Sequence, residues 1–424
     1  MTLWLYRTLL WLVFPFIVYS GWKRCRKSAD PDTPIIDCFR ARFGLKRAKY
    51  QTGGIWIHAV SVGETRSIFP LLKQLHQAYP NTALTVTNGS TQGALQALKF
   101  SPVPIQHQMI PYDYSFAVHR FLDQIQPKMV IMIETEIWPN LYQACHQRGI
   151  PLILANARLK QGSFESYQKW GGRLVKNALN QTHLIATQFD IDRQHFIQLG
   201  AEPARVKTLG NLKFDIEIPP GLVVEAQTWR QQHELTNRFI WVAASTHAGE
   251  EALMLQAHQT LRQQQPDALL ILVPRHADRF DAVASELKQH SINFAQRSQH
   301  QNVQPESSVY FADTIGELML WFAVSDVAFI GGSLVPFGGH NILEPAALSK
   351  PVISGQYHQN LQALYDSFKQ ADGLMIAQDV EQLSQQLIEL SQSAEQRQQA
   401  GQRAKQGFSQ QTGALQRLIE QLPI

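Results

Sequence analysis

Two short stretches in the first half of the chain put carboxylates where chemistry can use them. In Trp56-Ile57-His58-Ala59-Val60-Ser61-Val62-Gly63-Glu64-Thr65, Glu64 follows an apolar run and opens a stretch, Thr65 to Ala78, with helical periodicity. An acid there either complements the positive end of the helix or serves as a general base that takes a proton from an acceptor hydroxyl. Ser61 and Gly63 make the turn polar and pliant, which favours the second use. In Glu134-Thr135-Glu136, two acids at alternate positions follow Met129-Val130-Ile131-Met132-Ile133. One of them must turn inward and needs a partner, either a structural cation or positive charge that develops near a bound sugar. Lys213, in Gly210-Asn211-Leu212-Lys213-Phe214-Asp215, is either a surface charge or a cation that reaches an anionic substrate.

The second half offers phosphate chemistry. Ala244-Ser245-Thr246-His247 and Pro274-Arg275-His276 each follow a strongly apolar run, and an arginine with hydroxyls at such ends forms a phosphate-binding set. The most specific stretch is Gly331-Gly332-Ser333-Leu334-Val335-Pro336-Phe337-Gly338-Gly339-His340-Asn341-Ile342-Leu343-Glu344-Pro345-Ala346-Ala347. Four glycines and a new helix would turn backbone amides toward a phosphate. No Gly-Lys-Ser/Thr ends it and no GxGxxG lies in it, so it is neither a Walker loop nor a dinucleotide fingerprint. Glu344, in the first helical turn, suits a ribose hydroxyl.

Metal chemistry finds little support. Asp190-Ile191-Asp192 and Asp30-Pro31-Asp32 are the Asp-x-Asp triplets, one at a helix start and one among basic residues, so both read as capping or solvated acids. The fifteen histidines form no His-x-x-x-His pair with an acidic partner, and no Gly-x-Ser-x-Gly elbow is present.

These loops need a scaffold that gathers strand ends. From Gly53 onward, short apolar runs alternate with helical stretches, which predicts βαβ units around parallel sheets. Six strands are expected before the Ile218-Pro219-Pro220-Gly221 break and five after it. The chain is 424 residues long, enough for two cores. Two similar α/β domains, 53–217 and 222–424, should therefore enclose a cleft, with ligands beyond the carboxyl ends of the strands. The glutamine-rich tail from Gln378 to Leu422 reads as two solvated helices of the second domain.

Charge is concentrated near the start. Residues 23–49 carry nine basic and three acidic side chains, while the whole chain is only +4. With Arg7 also set aside, the remainder is about −3, which excludes a nucleic-acid groove. A basic segment, 23–52, behind the apolar segment 1–22 instead suits anionic lipid heads. Arg7 interrupts that apolar segment, so it either spans with Arg7 snorkelling or lies in the interface. The basic collar after it places the rest of the chain on the cytoplasmic side and argues against a cleaved signal peptide. Cys25, Cys38 and Cys145 suggest neither a disulfide framework nor a zinc site, as in a reducing compartment.

Taken together, the stretches WIHAVSVGET, ETEIWPN, ANARL (Ala155 to Leu159), GNLKFD, STHAGEE, LVPRHADRF, IGELM and GGSLVPFGGHNILEPAA closely resemble the Kdo transferase family. Its members attach 3-deoxy-D-manno-oct-2-ulosonic acid (Kdo) to the lipid A precursor of lipopolysaccharide. The resemblance runs over nearly the whole chain. It implies a GT-B fold, with two Rossmann-like domains facing a cleft and an N-terminal membrane-anchor helix. It further implies CMP-Kdo as donor, lipid IVA as acceptor, inversion at the anomeric carbon, no cofactor and no metal, and a place on the cytoplasmic side of a bacterial inner membrane, in contact with its phospholipid. Glu64 would be the proton acceptor, Glu134 and Lys213 would assist the transition state, and CMP would be held by Pro274, Arg275, Ile315, Gly316, Glu317, Asn341, Ile342, Leu343 and Glu344. The alternatives are another GT-B enzyme using a different nucleotide sugar, or a non-catalytic lipid-binding protein of the same fold.

Overall fold

The computed structural model describes residues 1–27, 35–45 and 49–423, without the side chains of Lys27 and Ile35. The triplet Asp30-Pro31-Asp32 and two members of the basic collar, Lys46 and Arg47, lie outside the described residues. The chain divides into two compact units, Met1–Asp215 with Thr412–Ile424, and Ile216–Gln411.

The first unit is built on seven parallel strands: β1 (Ile55–Ala59), β2 (Leu84–Asn88), β3 (Gln106–Met109), β4 (Met129–Ile133), β5 (Leu152–Ala157), β6 (Leu184–Thr187) and β7 (Val206–Thr208). They lie in the order β3-β2-β1-β4-β5-β6-β7. β1, β4 and β5 are buried along their whole length, because helices cover both faces of the sheet. Alternation along β1 sends Trp56 into one core with Phe121 and Tyr142, and Ile55 and Ile57 into the other with Leu71 and Leu75. Each such aliphatic side chain contributes roughly 1.5–3 kcal/mol. The indole of Trp56 donates to Thr87 Oγ1 at 2.8 Å, so its burial leaves no orphaned donor.

The second unit repeats the plan with β8 (Ile240–Thr246), β9 (Leu269–Pro274), β10 (Phe294–Gln296), β11 (Val309–Phe311), β12 (Val327–Ile330), β13 (Val352–Gly355) and β14 (Met375–Ala377). Their order is β10-β11-β9-β8-β12-β13-β14, again parallel. In each sheet the order reverses between two neighbours, β1 and β4 in one and β8 and β12 in the other. Residues following those strands gather at the switch point.

Three features depart from the sequence-based expectations. The glutamine-rich tail forms three helices, Val380–Gln392, Ala394–Gln411 and Ala414–Ile419, and the last belongs to the first unit rather than the second. Leu415 and Leu418 enter the apolar cluster of Leu209 and Leu212, and the Asp215 carboxylate accepts from Gly413 N at 2.5 Å and Leu415 N at 2.6 Å. Second, Cys25 and Cys38 form a disulfide. The helices Phe14–Lys27 and Ile35–Arg42 pack together and bring the two Cα atoms to 5.8 Å, a tertiary contact that cysteine spacing does not announce. The pairing removes the cysteines as grounds for a reducing compartment.

Third, the apolar start of the chain is folded onto the first unit. No single helix among the described residues is long and apolar enough to cross a membrane; Leu3–Leu12 and the helix after it are bent by 63°. Leu10, Phe14, Ile17 and Val18 pack around Phe43, Tyr114 and Ala117. Tyr6 Oη donates to Asp113 at 2.9 Å, and Arg7 Nε to Asn140 Oδ1 at 2.7 Å, so Arg7 is used inside the unit rather than snorkelling. Trp4, Leu12 and Phe16 are exposed, and Trp11, also exposed, rests one side of its ring on Tyr114 and Phe116.

Candidate functional site

In the first unit, the loops after the neighbouring strands β1 and β4 carry the three carboxylates. Ser61 caps a helix over Val62–Ser67, so the helix starts three residues earlier than the Thr65 expected. The Glu64 carboxylate reaches back over this turn, accepting from Val60 N and from Ser61 Oγ, both at 2.7 Å. Glu64 is thus a capping acid in geometry. Each carboxylate oxygen keeps a free lone pair, and the residue is 9% exposed, so capping leaves it able to accept from a third donor.

Glu134 has a left-handed φ of 64° and forms an ion pair with Lys213, Nζ to Oε1 at 2.6 Å. The structure therefore brings together two candidate residues 79 positions apart in sequence. Glu136 is turned elsewhere, accepting from the Trp138 indole at 2.6 Å, while its own carbonyl accepts from Tyr142 Oη. Burial pushes its carboxyl up to about 7, and the charges of Glu64 and Glu134 push the same way. The three acids therefore share one electrostatic environment. His58, behind them, is buried with its ring edge toward Trp138. Burial lowers it to about 3, so it is a neutral ring whose Nδ1 donates to Thr87.

In the second unit the loops of four neighbouring strands, β11, β9, β8 and β12, leave the same edge of the sheet. Pro274 ends β9, and exposed Arg275 follows, its N–H tied to Thr246 O at 3.1 Å. Ile315 and Gly316 are exposed beyond β11, Gly316 with φ 96°. The Glu317 carboxylate is gripped by the Arg297 guanidinium, at 2.6 and 3.1 Å, and accepts from Thr314 Oγ1, and the Arg297 hydrogen bonds hold it below the usual carboxylate range. Ile342 and Leu343 are buried, and Asn341 Oδ1 already accepts from Leu343 N at 3.1 Å. Burial raises the Glu344 carboxyl, opposed by the charge of Arg275, which puts these two groups within reach of each other's field.

The first half of the glycine-rich loop is not open to a phosphate. Glu250 is fully buried, and its carboxylate accepts from Gly332 N (2.6 Å), Ser333 N and Leu334 N (3.0 Å each) and His247 N (3.2 Å). A protein carboxylate holds the amides that the sequence suggested for a ligand, which leaves the segment after Gly338 for that purpose. Sequence reasoning missed Glu250; the signal was an acid in the first turn of the helix that follows β8. The same holds for Glu251, which grips Arg279 at 2.6 and 3.0 Å and Thr246 at 2.8 Å beneath the loop. His247 and His340 meet at 2.7 Å, Nε2 to Nε2, and Phe337 stacks on His247 at 3.7 Å. Burial lowers His340 to about 4, helped by the charges of His247, Arg275 and His276, so its ring is neutral, and burial lowers His247 as well.

The two Asp-x-Asp acids that lie within the described residues are spent locally. Asp192 accepts from Leu159 N at 2.8 Å and Phe189 N at 3.2 Å, and Asp190 from Thr208 Oγ1 at 2.5 Å. Among the described residues, no group of three or more His, Cys, Asp or Glu side chains is arranged to hold a metal ion.

Comparison with known proteins gives these loops a family. Residues 37–216 match the model described as 3-deoxy-D-manno-octulosonic-acid transferase (kdotransferase). A 3-deoxy-D-manno-octulosonic acid transferase of Haemophilus influenzae is 35% identical over 92% of this chain and 95% of its own length. One of Bordetella pertussis is 31% identical over 82% and 81%. Among solved structures, the UDP-GlcNAc 2-epimerase of Neisseria meningitidis is 13% identical, covers 87% of this chain and 99% of its own, and superposes with a TM-score of 0.58, a likeness of fold alone. The fold is therefore of the GT-B type, and the chain is a glycosyltransferase that belongs to the 3-deoxy-D-manno-octulosonic acid (Kdo) transferase family.

Proposed function

We propose that this enzyme transfers Kdo from CMP-Kdo to a lipid A precursor, lipid IVA, with inversion at the anomeric carbon and Glu64 as the general base. The acceptor hydroxyl oxygen bonds to the anomeric carbon and loses its proton to Glu64. The bond from that carbon to the CMP phosphate oxygen breaks, and its electron pair leaves with the phosphate. Arg275 and the backbone of Asn341, Ile342 and Leu343 neutralise the departing phosphate, with Glu344 on the ribose and Pro274, Ile315, Gly316 and Glu317 completing the nucleotide site. Lys213, oriented by Glu134, faces negative charge at the reacting sugar, so catalysis is mainly positioning and electrostatics without a divalent ion.

The observation that carries the base assignment is Glu64 held by two hydrogen bonds with acceptor capacity to spare, in one electrostatic neighbourhood with Glu134 and Glu136. Membrane association at the cytoplasmic face of the inner membrane is supported by the exposed aromatic face of the N-terminal helices and by the basic residues that follow.

Glu64→Gln tests the base. Glutamine can accept from Val60 N through its oxygen and donate to Ser61 Oγ through its nitrogen, so the turn survives while the proton acceptor is lost. Transfer should fall by roughly 10²–10⁴-fold with CMP affinity unchanged. Near wild-type transfer by the folded variant would remove Glu64 from the chemistry.

A further inference from the structure

Three successive strands of the first unit, β4, β5 and β6, end in polar groups that hold one another. Asn156, inside β5, is 2% exposed and has a left-handed φ of 53°. The β5–β6 pairing changes register between Leu154 and Ala157, so Asn156 sits on a bulge, a device that re-aims side chains. Its Oδ1 accepts from Leu212 N at 3.0 Å, and its backbone carbonyl accepts from Gln188 Nε2 at 2.9 Å. Gln188 Oε1 accepts from Asn211 Nδ2 at 3.0 Å, and Asn211 Oδ1 accepts from Lys213 N at 3.0 Å. On the other side, Glu134 N donates to Ala155 O at 2.9 Å. The Lys213–Glu134 ion pair closes a ring that runs from β4 through the bulge to the Leu212–Phe214 turn and back.

This ring holds two non-glycine residues in left-handed conformation, Glu134 and Asn156, and three buried amide side chains, Asn156, Gln188 and Asn211. Backbone of this kind persists only where its surroundings over-determine it, and such places cluster at functional sites. Leu212 and Phe214 are buried and already anchor the turn by apolar contact. Apolar contact sets depth and leaves rotation loose; hydrogen bonds to Leu212 N and Lys213 N fix where the lysine leaves the backbone. We propose that Asn156, acting through Asn211 and the Leu212–Lys213 backbone, is a positioning residue that aims Lys213 at Glu134 and at the reacting sugar. The proposal rests on the role given to Lys213 above.

The test is a double-mutant cycle on transfer from CMP-Kdo, with thermal unfolding and CMP affinity recorded beside it. Asn156→Asp keeps both the acceptor and the tolerance of left-handed φ, and should retain transfer within several-fold. Asn156→Gly keeps the backbone but loses the acceptor, and should lower kcat by roughly 10–100-fold, the scale of a misplaced group of about an ångström, with CMP affinity unchanged. If Asn156 acts through Lys213, the Asn156→Gly/Lys213→Ala double variant is no slower than Lys213→Ala alone. Losses that multiply, or an Asn156→Gly enzyme at the wild-type rate, overturn the proposal while leaving the role of Lys213 intact. Lys213→Ala at the wild-type rate overturns that role and the proposal together. If Asn156→Gly does not fold, Asn211→Ala, which removes the acceptor of Lys213 N, replaces it in the same cycle with the same outcomes.

Discussion

Replacing Glu250 by glutamine changes one atom of a group with no exposed surface, and the consequence can be worked from its four partners. Oε2 serves His247 N and Gly332 N; Oε1 serves Ser333 N and Leu334 N. Glutamine keeps one acceptor oxygen and puts an NH2 group against the other two amides, whichever way it turns. Two buried N–H donors then lose their acceptor at about 1–3 kcal/mol each. Burial opposes the charged form of Glu250, since it raises the carboxyl, and removing that buried charge returns part of the loss. The net expectation is about 2–4 kcal/mol off the stability of the second unit, read as a lower denaturant midpoint for that unit. CMP affinity should fall, because the loop that precedes Asn341 is no longer held. The reasoning is refuted if Glu250→Gln unfolds at the wild-type midpoint. It is refuted equally if the variant binds CMP more tightly, which would mean that those amides are a phosphate site obstructed by the carboxylate.

Other expectations concern the N-terminal helices, pH and metal. Tyr6→Phe removes the hydrogen bond to Asp113 and should cost the first unit about 0.5–1.5 kcal/mol by thermal unfolding; deleting residues 1–22, which also strips Arg7, Leu10 and Phe14 from their partners, should destabilise the unit as well as weaken its attachment to vesicles. A truncated protein with unchanged unfolding would contradict this. The folded protein holds the Glu136 proton up to about pH 7, whereas the unfolded chain releases it near the usual carboxylate value of about 4.3, so this group's contribution is fully present below about pH 4 and lost as pH rises through about 7. Wild type should lose stability relative to Glu136→Gln across that window, and parallel curves would refute the shift. Transfer should persist in excess chelator; activity abolished by EDTA and restored by magnesium would require a metal.

Much of this was legible because buried parallel strands write themselves as apolar runs; the eleven expected strands fall on β1 to β6, β8, β9 and β11 to β13, and of these only the edge strand β3, Gln106–Met109, is polar and half-buried. The three strands not foreseen, β7, β10 and β14, are three-residue edge strands, too short for any periodicity. Glu64 was readable as a first-turn acid and as a base, but the Ser61 cap and the helix start at Val62 were not, and it is this capping geometry that orients the carboxylate. Glu134 and Lys213 were each visible, but their pairing is a tertiary fact. So is Glu250, whose three amide partners in the glycine-rich loop lie 82 to 84 residues away in sequence, and so is the Cys25–Cys38 bond. The C-terminal helix was assigned by chain order, while its Leu415 and Leu418 answer to an apolar surface on the first unit.

The most direct test of the account is incubation of the full chain, in mixed micelles, with CMP-Kdo and lipid IVA, with the lipid products read by mass and the released nucleotide quantified. The expected result is lipid heavier by whole Kdo residues, one CMP released per residue added, and no product with CMP-sialic acid or a UDP-sugar in place of CMP-Kdo. Wild-type protein that binds CMP yet leaves lipid IVA unmodified, or that transfers a different sugar in preference, would contradict it.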